Sequence, residues 1–114
     1  MGTTRTFESG ATRDTDEGKL DYEGFYTWRV MNRFARYMDA HRIQSDGNLR
    51  DSDNWQKGIP LSAYMKSMWR HFMAVWKGYR YRKPSQEDLC ALLFNVQGML
   101  NTLLEAEEKE VNPF

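Results

Sequence analysis

Apolar residues recur at helical spacing in three stretches of this chain, with aperiodic polar segments between them. Over residues 24–42, Val30, Phe34, Tyr37 and His41 share a face, with Met31, Ala35 and Met38 beside it, which predicts a first helix from about Gly24 to Arg42. A second set, Leu61, Met65, Met68, Phe72 and Val75, follows Pro60, a residue suited to a helix's first turn. It predicts a helix to about Lys77, with Gly78 as terminator. After "YRYRKP", Ser85 suits an N-cap, and Asp88 three residues on makes a weak capping box, opening a third helix that runs to about Glu108.

Between these stretches the pattern lapses. Residues 1–23 are rich in Thr, Gly and Asp without apolar spacing and read as an arm or loop, leaving 24–114 as a single helical domain. "SDGN" at 45–48 breaks the first helix, and the connection continues through Gly58 to Pro60. Neither strand alternation nor an internal repeat is present. The predicted fold class is all-α: a small bundle of three main helices, a long N-terminal arm and a structured loop between helices one and two.

The third helix carries more apolar surface than one neighbouring helix covers. Leu89, Leu93, Val96, Leu100 and Leu103 form a stripe; Cys90, Phe94, Gln97 and Leu104 lie beside it, and Leu92 and Met99 widen it. Three helices give a thin core, so this face predicts a homo-oligomer. Composition adds limits. No run approaches the roughly 18 apolar residues of a membrane span, and the opening segment has no signal-peptide core. The one cysteine, Cys90, excludes an internal disulfide. The expectation is a cytoplasmic protein without a membrane partner.

Sixteen basic and sixteen acidic residues cancel, yet they are not mixed evenly. The basic ones gather between Arg29 and Lys83, the acidic ones near the N-terminus and in "EAEEKE". Such a chain suits a small anion better than long nucleic acid. Arg29, Arg33 and Arg36 form a stripe on helix one, and Lys66, Arg70 and Lys77 form one on helix two. Tyr26, Trp28, Trp69 and Trp76 flank these stripes. Guanidinium forks on phosphates and aromatic faces on bases would together hold a nucleotide; the alternative is solvated arginines beside core aromatics.

Catalytic signals are sparser. His71, beside Arg70, suits a phosphate donor or an acid–base group. Magnesium-dependent cleavage calls for carboxylates one turn apart on helices facing a common point. The closest sets are Asp14, Asp16 and Glu17, then Asp51 and Asp53, all in predicted loops. The segment "RDSDNWQKGIP", residues 50–60, is too polar for a core strand but carries a tryptophan that a solvated linker seldom needs.

The order of motifs "DEGKLDY" (16–22), "NWQKGIP" (54–60), Tyr64, "RH" (70–71), Trp76 with Gly78, and "DLCALLFN" (88–95) resembles the phage-associated family labelled dATP/dGTP diphosphohydrolase N-terminal domain. The resemblance spans about residues 13–104, and its most specific part is NW-x-K-G-x-P followed by Arg-His. It implies a phage setting in the host cytoplasm, a purine nucleotide ligand and, in an enzyme, release of pyrophosphate. The site residues it implies are Asp16, Lys19, Asn54, Trp55, Lys57, Arg70, His71, Asp88 and Asn95, with the 50–60 loop lining the site. His71 and Asp88 would be catalytic in an enzyme, with Mg2+ held by loop carboxylates such as Asp16, Asp51 and Asp53. Two functions follow. One is sequestration of a nucleotide or nucleotide-derived immune signal, needing no cofactor; the other is a metal-dependent diphosphohydrolase. The missing helical carboxylate set ranks sequestration first.

Overall fold

In a computed structural model, which describes residues 3–114, the chain divides into two units, Met1–Met31 and Asn32–Phe114. The first unit opens with strands β1 (Thr4–Thr6) and β2 (Thr12–Asp14), antiparallel, with Thr4 opposite Asp14 and Thr6 opposite Thr12. Their tip is Glu8-Ser9-Gly10. The Gly10 N–H donates to the Phe7 carbonyl and the Phe7 N–H to that of Ala11, both at 2.9 Å, with Gly10 at φ +88°. A left-handed glycine closing a three-residue loop is a common hairpin solution. The all-α expectation is therefore corrected: the fold is α-rich with a small β hairpin. The strands "TRT" and "TRD" are exposed throughout, so no buried face imposes the apolar alternation that would reveal them.

"DEGK" then forms a turn, in which the Lys19 N–H donates to the Asp16 carbonyl at 2.9 Å and Gly18 sits at φ +81°. The single first helix is also corrected. Asp21 caps a short α1 (Tyr22–Phe25) by accepting from the Gly24 N–H at 2.9 Å, and Tyr26 is extended. The Thr27 hydroxyl then accepts from the Val30 N–H at 3.1 Å and restarts the chain as α2 (Trp28–Ala40). A threonine hydroxyl competes with the helix ladder in this way, favouring a cap over a helix interior.

In the second unit "SDGN" does more than break a helix. The Arg50 N–H donates to the Arg42 carbonyl and the Gln44 N–H to that of Asn48, both at 2.8 Å, with Ile43 opposite Leu49. Gly47 at φ +86° turns the tip, and the Asp46 carboxylate accepts from the Asn48 N–H. A single 3₁₀ turn, Asn54–Lys57, leads into α3 (Leu61–Arg80), which α4 (Gln86–Lys109) follows.

Helix α3 does not stop at Gly78. It ends where Arg82 turns left-handed (φ 60°), with Lys83 N–H donating to Gly78 O at 2.7 Å and Arg82 N–H to Tyr79 O at 3.1 Å. Gly78 is needed for that return, because a β-carbon there would stand 2.7 Å from the Lys83 carbonyl oxygen. Ser85 caps α4, its hydroxyl accepting from the Asp88 N–H at 3.1 Å.

The seam of α3 against α4 is the main packing of this unit. Leu61 and Tyr64 are buried from α3, and Cys90, Ala91, Asn95, Gly98 and Ala106 from α4. Gly98 lets the Tyr64 ring lie directly on the α4 backbone, since a β-carbon at 98 would overlap it. On the far side of α4 the predicted leucine stripe is 40–54% exposed. By length and composition α4 is also apolar enough to cross a membrane. Reading for unbroken apolar runs did not register this, because Asn95, Gln97 and Asn101 interrupt the pattern.

Candidate functional site

The 3₁₀ turn of the "NWQKGIP" segment is set by backbone bonds from Asn54 N–H to Asp51 O (3.0 Å) and from Gln56 N–H to Asp53 O (2.9 Å). Gly58, at φ +120°, then releases the chain towards α3. This geometry sets Trp55 edge-on against Phe94, with ring centres 6.1 Å apart, and Phe94 stands 6.0 Å from Tyr64 in the same manner. Edge-to-face pairs each contribute roughly 0.5–1.5 kcal/mol beyond burial, so Trp55 is fixed at the rim of the core.

Beside Trp55 and Asn54 opens a cleft of about 220 Å³, walled by Tyr37 and Met38 of α2, by His41 just beyond its end and by the neck of the 42–50 hairpin. Ligand sites commonly measure about 300–1,000 Å³, so it is sized for part of a nucleotide, with the remainder reaching solvent. The neck places two arginines at the cleft. Arg42 is occupied: its Nε donates to the Arg50 carbonyl at 2.8 Å and its Nη1 stands 3.5 Å from Asp39. Arg50 has no ion-pair partner among the described residues. His41 lies on Tyr37, ring centres 4.1 Å apart, with its Nδ1 2.8 Å from the Tyr37 carbonyl oxygen. Burial, then the negative charges of Glu87, Cys90 and Asp88, push the Tyr37 hydroxyl above its ordinary value. It therefore stays a neutral hydrogen-bond donor at physiological pH. An aromatic plane, an unpaired guanidinium and polar donors can stack a base and fork a phosphate.

The residues implied from sequence do not all meet here. Asn54, Trp55 and Asp51 border the cleft. His71 and Asp88 meet on the α3–α4 seam, Nδ1 to Oδ1 at 3.1 Å, each about one-third exposed. Asp88 also borders a basic depression at the α3–α4 turn with Lys77 and Lys83. Asn95 is inside the seam, where its Nδ2 donates to Ser67 Oγ at 3.0 Å and to the Ala91 carbonyl at 2.7 Å. Arg70 and Lys57 are exposed and line neither cleft, and Asp53 is exposed at the start of the 3₁₀ turn. Asp16 and Lys19 are the ends of the "DEGK" turn in the first unit, Asp16 standing 3.8 Å from Arg5. Arg33, from the helix-one stripe, binds Gln86 and Glu87 on α4.

Sequence reasoning passed over Tyr37, His41, Arg42 and Arg50 as site residues. The available signal was "SDGN": a hairpin tip brings Arg42 and Arg50 opposite each other, whereas a plain loop does not. The magnesium requirement of a hydrolase finds no matching set. Among the described residues no three His, Cys, Asp or Glu side chains converge, and Asp88 is committed to His71.

The family described as dATP/dGTP diphosphohydrolase, N-terminal, matches this chain over residues 9–112. No curated protein and no solved structure matches it.

Proposed function

The chain belongs to the dATP/dGTP diphosphohydrolase N-terminal family, and from that membership we propose that it binds a purine nucleotide, or a signal built from one, without turning it over. The observation that carries this reading is the Trp55 cleft, which joins an anchored aromatic plane to the unpaired Arg50. In this reading Trp55 stacks on the base, Arg50 forks a phosphate, and Asn54 and Tyr37 supply hydrogen bonds. In a phage setting, occupying the ligand would be enough to withdraw a nucleotide-derived immune signal from the host cytoplasm.

The family's description favours a second reading, a metal-dependent diphosphohydrolase acting on dATP or dGTP. His71, oriented by Asp88, would then be its acid–base group. It ranks second because the carboxylates are dispersed. Incubation with a nucleotide panel and Mg2+, followed by product separation, decides between the two. Intact ligand recovered on the protein is the expected result; catalytic release of pyrophosphate overturns the first reading.

A further inference from the structure

Leu89, Leu93, Val96, Leu100 and Leu103 advance along α4 in steps of four, three, four and three residues, the spacing of a coiled-coil seam. They lie on the opposite side of the helix from the residues buried against α3. On α3, Met65, Trp69, Phe72 and Trp76 follow steps of four, three and four, and are 42–61% exposed. Met68 and Leu92 line one apolar groove together with Met65, Trp69 and Phe72, joining the two stripes into one surface. Nine large, half-exposed side chains offer on the order of 800 Å² per copy, close to what each partner gives to a standard interface.

We propose that this surface pairs with the same surface of a second copy, around a two-fold axis that sets the two α4 helices antiparallel. The occupant and the direction both follow from charge. Beyond Leu103 the helix carries Glu105, Glu107 and Glu108, and its C-cap residue is Glu110, against one Lys109. Beside its start stand Arg80, Arg82 and Lys83, none with an ion-pair partner among the described residues. The acids at that end are already engaged, Glu87 with Arg33 and Asp88 with His71. An antiparallel two-fold lays the acidic end of each α4 beside the basic end of its partner, twice. A parallel pairing stacks acid on acid. An isologous, self-complementary patch is also the commonest basis of a homodimer.

The test is sedimentation of the full chain at micromolar concentration, with disulfide trapping to read direction. The wild type should sediment as an even number of chains. Leu100→Glu, an exposed change that leaves circular dichroism intact, should sediment as a monomer. About the two-fold, position 96 faces itself and 89 faces 103. Val96→Cys should therefore cross-link to itself. Leu89→Cys and Leu103→Cys should cross-link only when mixed; the native Cys90 is buried and does not compete. A monomeric wild type, an unchanged mass for Leu100→Glu, or self-cross-linking by Leu103→Cys alone overturns the proposal.

Discussion

At position 98 a hydrogen atom is the only side chain that the packing accepts. A methyl group there overlaps the Tyr64 ring on one side while the helix backbone holds it on the other. Overpacking of this kind typically costs about 1–3 kcal/mol, and Gly98→Ala is expected to lose that much in urea unfolding. Burial also raises the Tyr64 hydroxyl, as it does that of Tyr37, above the ordinary value of 10.0. The folded chain thus holds these protons more tightly than the unfolded one. Their contribution is complete below pH 10.0 and is lost as pH rises through the folded-state values. Denaturant midpoints should therefore fall in strongly alkaline solution, and less so for Tyr64→Phe. In the cleft, Arg50→Ala should weaken nucleotide binding by roughly 2–5 kcal/mol, the usual loss for a truncated charged contact. Trp55→Ala should weaken it more than it lowers the melting temperature. Arg70→Ala, outside the cleft, should bind nearly normally; titration calorimetry on the three variants would show whether the ligand sits here.

Elements were legible where burial imposed a period. Helices α3 and α4 pack on each other, so their apolar spacing reports their extent to within a few residues. The two hairpins have no such face. Three-residue polar strands and a lone Ile43–Leu49 bridge leave only their tips, "ESG" and "SDG", as a trace, each with its glycine left-handed. The break between α1 and α2 was hidden because Thr27 sits inside a continuous helical pattern and declares itself only through its hydroxyl. The same contrast holds in the site. Asn54 and Trp55 stood out as a local motif, while Arg42 and Arg50 become neighbours only through the second hairpin. That hairpin turns on Gly47 at φ +86°. A β-carbon in left-handed backbone costs about 1–2 kcal/mol, so Gly47→Ala should destabilise by that order. It should also lower nucleotide affinity while Trp55 fluorescence stays near native, because the arginines move and the 3₁₀ turn does not.

On the scale of the whole molecule, the apolar core is small for the chain's length: Phe34, Leu61, Tyr64, Cys90, Ala91 and Ala106 are its buried apolar members among the described residues. A chain with so little interior and so much apolar surface gains stability from any partner that binds only its folded form. If that partner is a second copy, the unfolding midpoint in calorimetry should rise with protein concentration, and Leu100→Glu should abolish the rise. Within each copy, Asn95 settles a different matter. Its amide must reach Ser67 and the Ala91 carbonyl. Sliding α3 along α4 by one turn, about 5.4 Å, would still set apolar on apolar and keep the Ala91 bond within α4, but would take Ser67 of α3 out of the amide's reach. The polar contact therefore acts mainly by penalising the wrong alignments, as a single buried asparagine does in coiled coils. Asn95→Leu should keep its helical content yet let several alignments coexist, visible as broadened, poorly dispersed NMR signals from the seam. What Asn95 supplies to this fold is uniqueness more than strength.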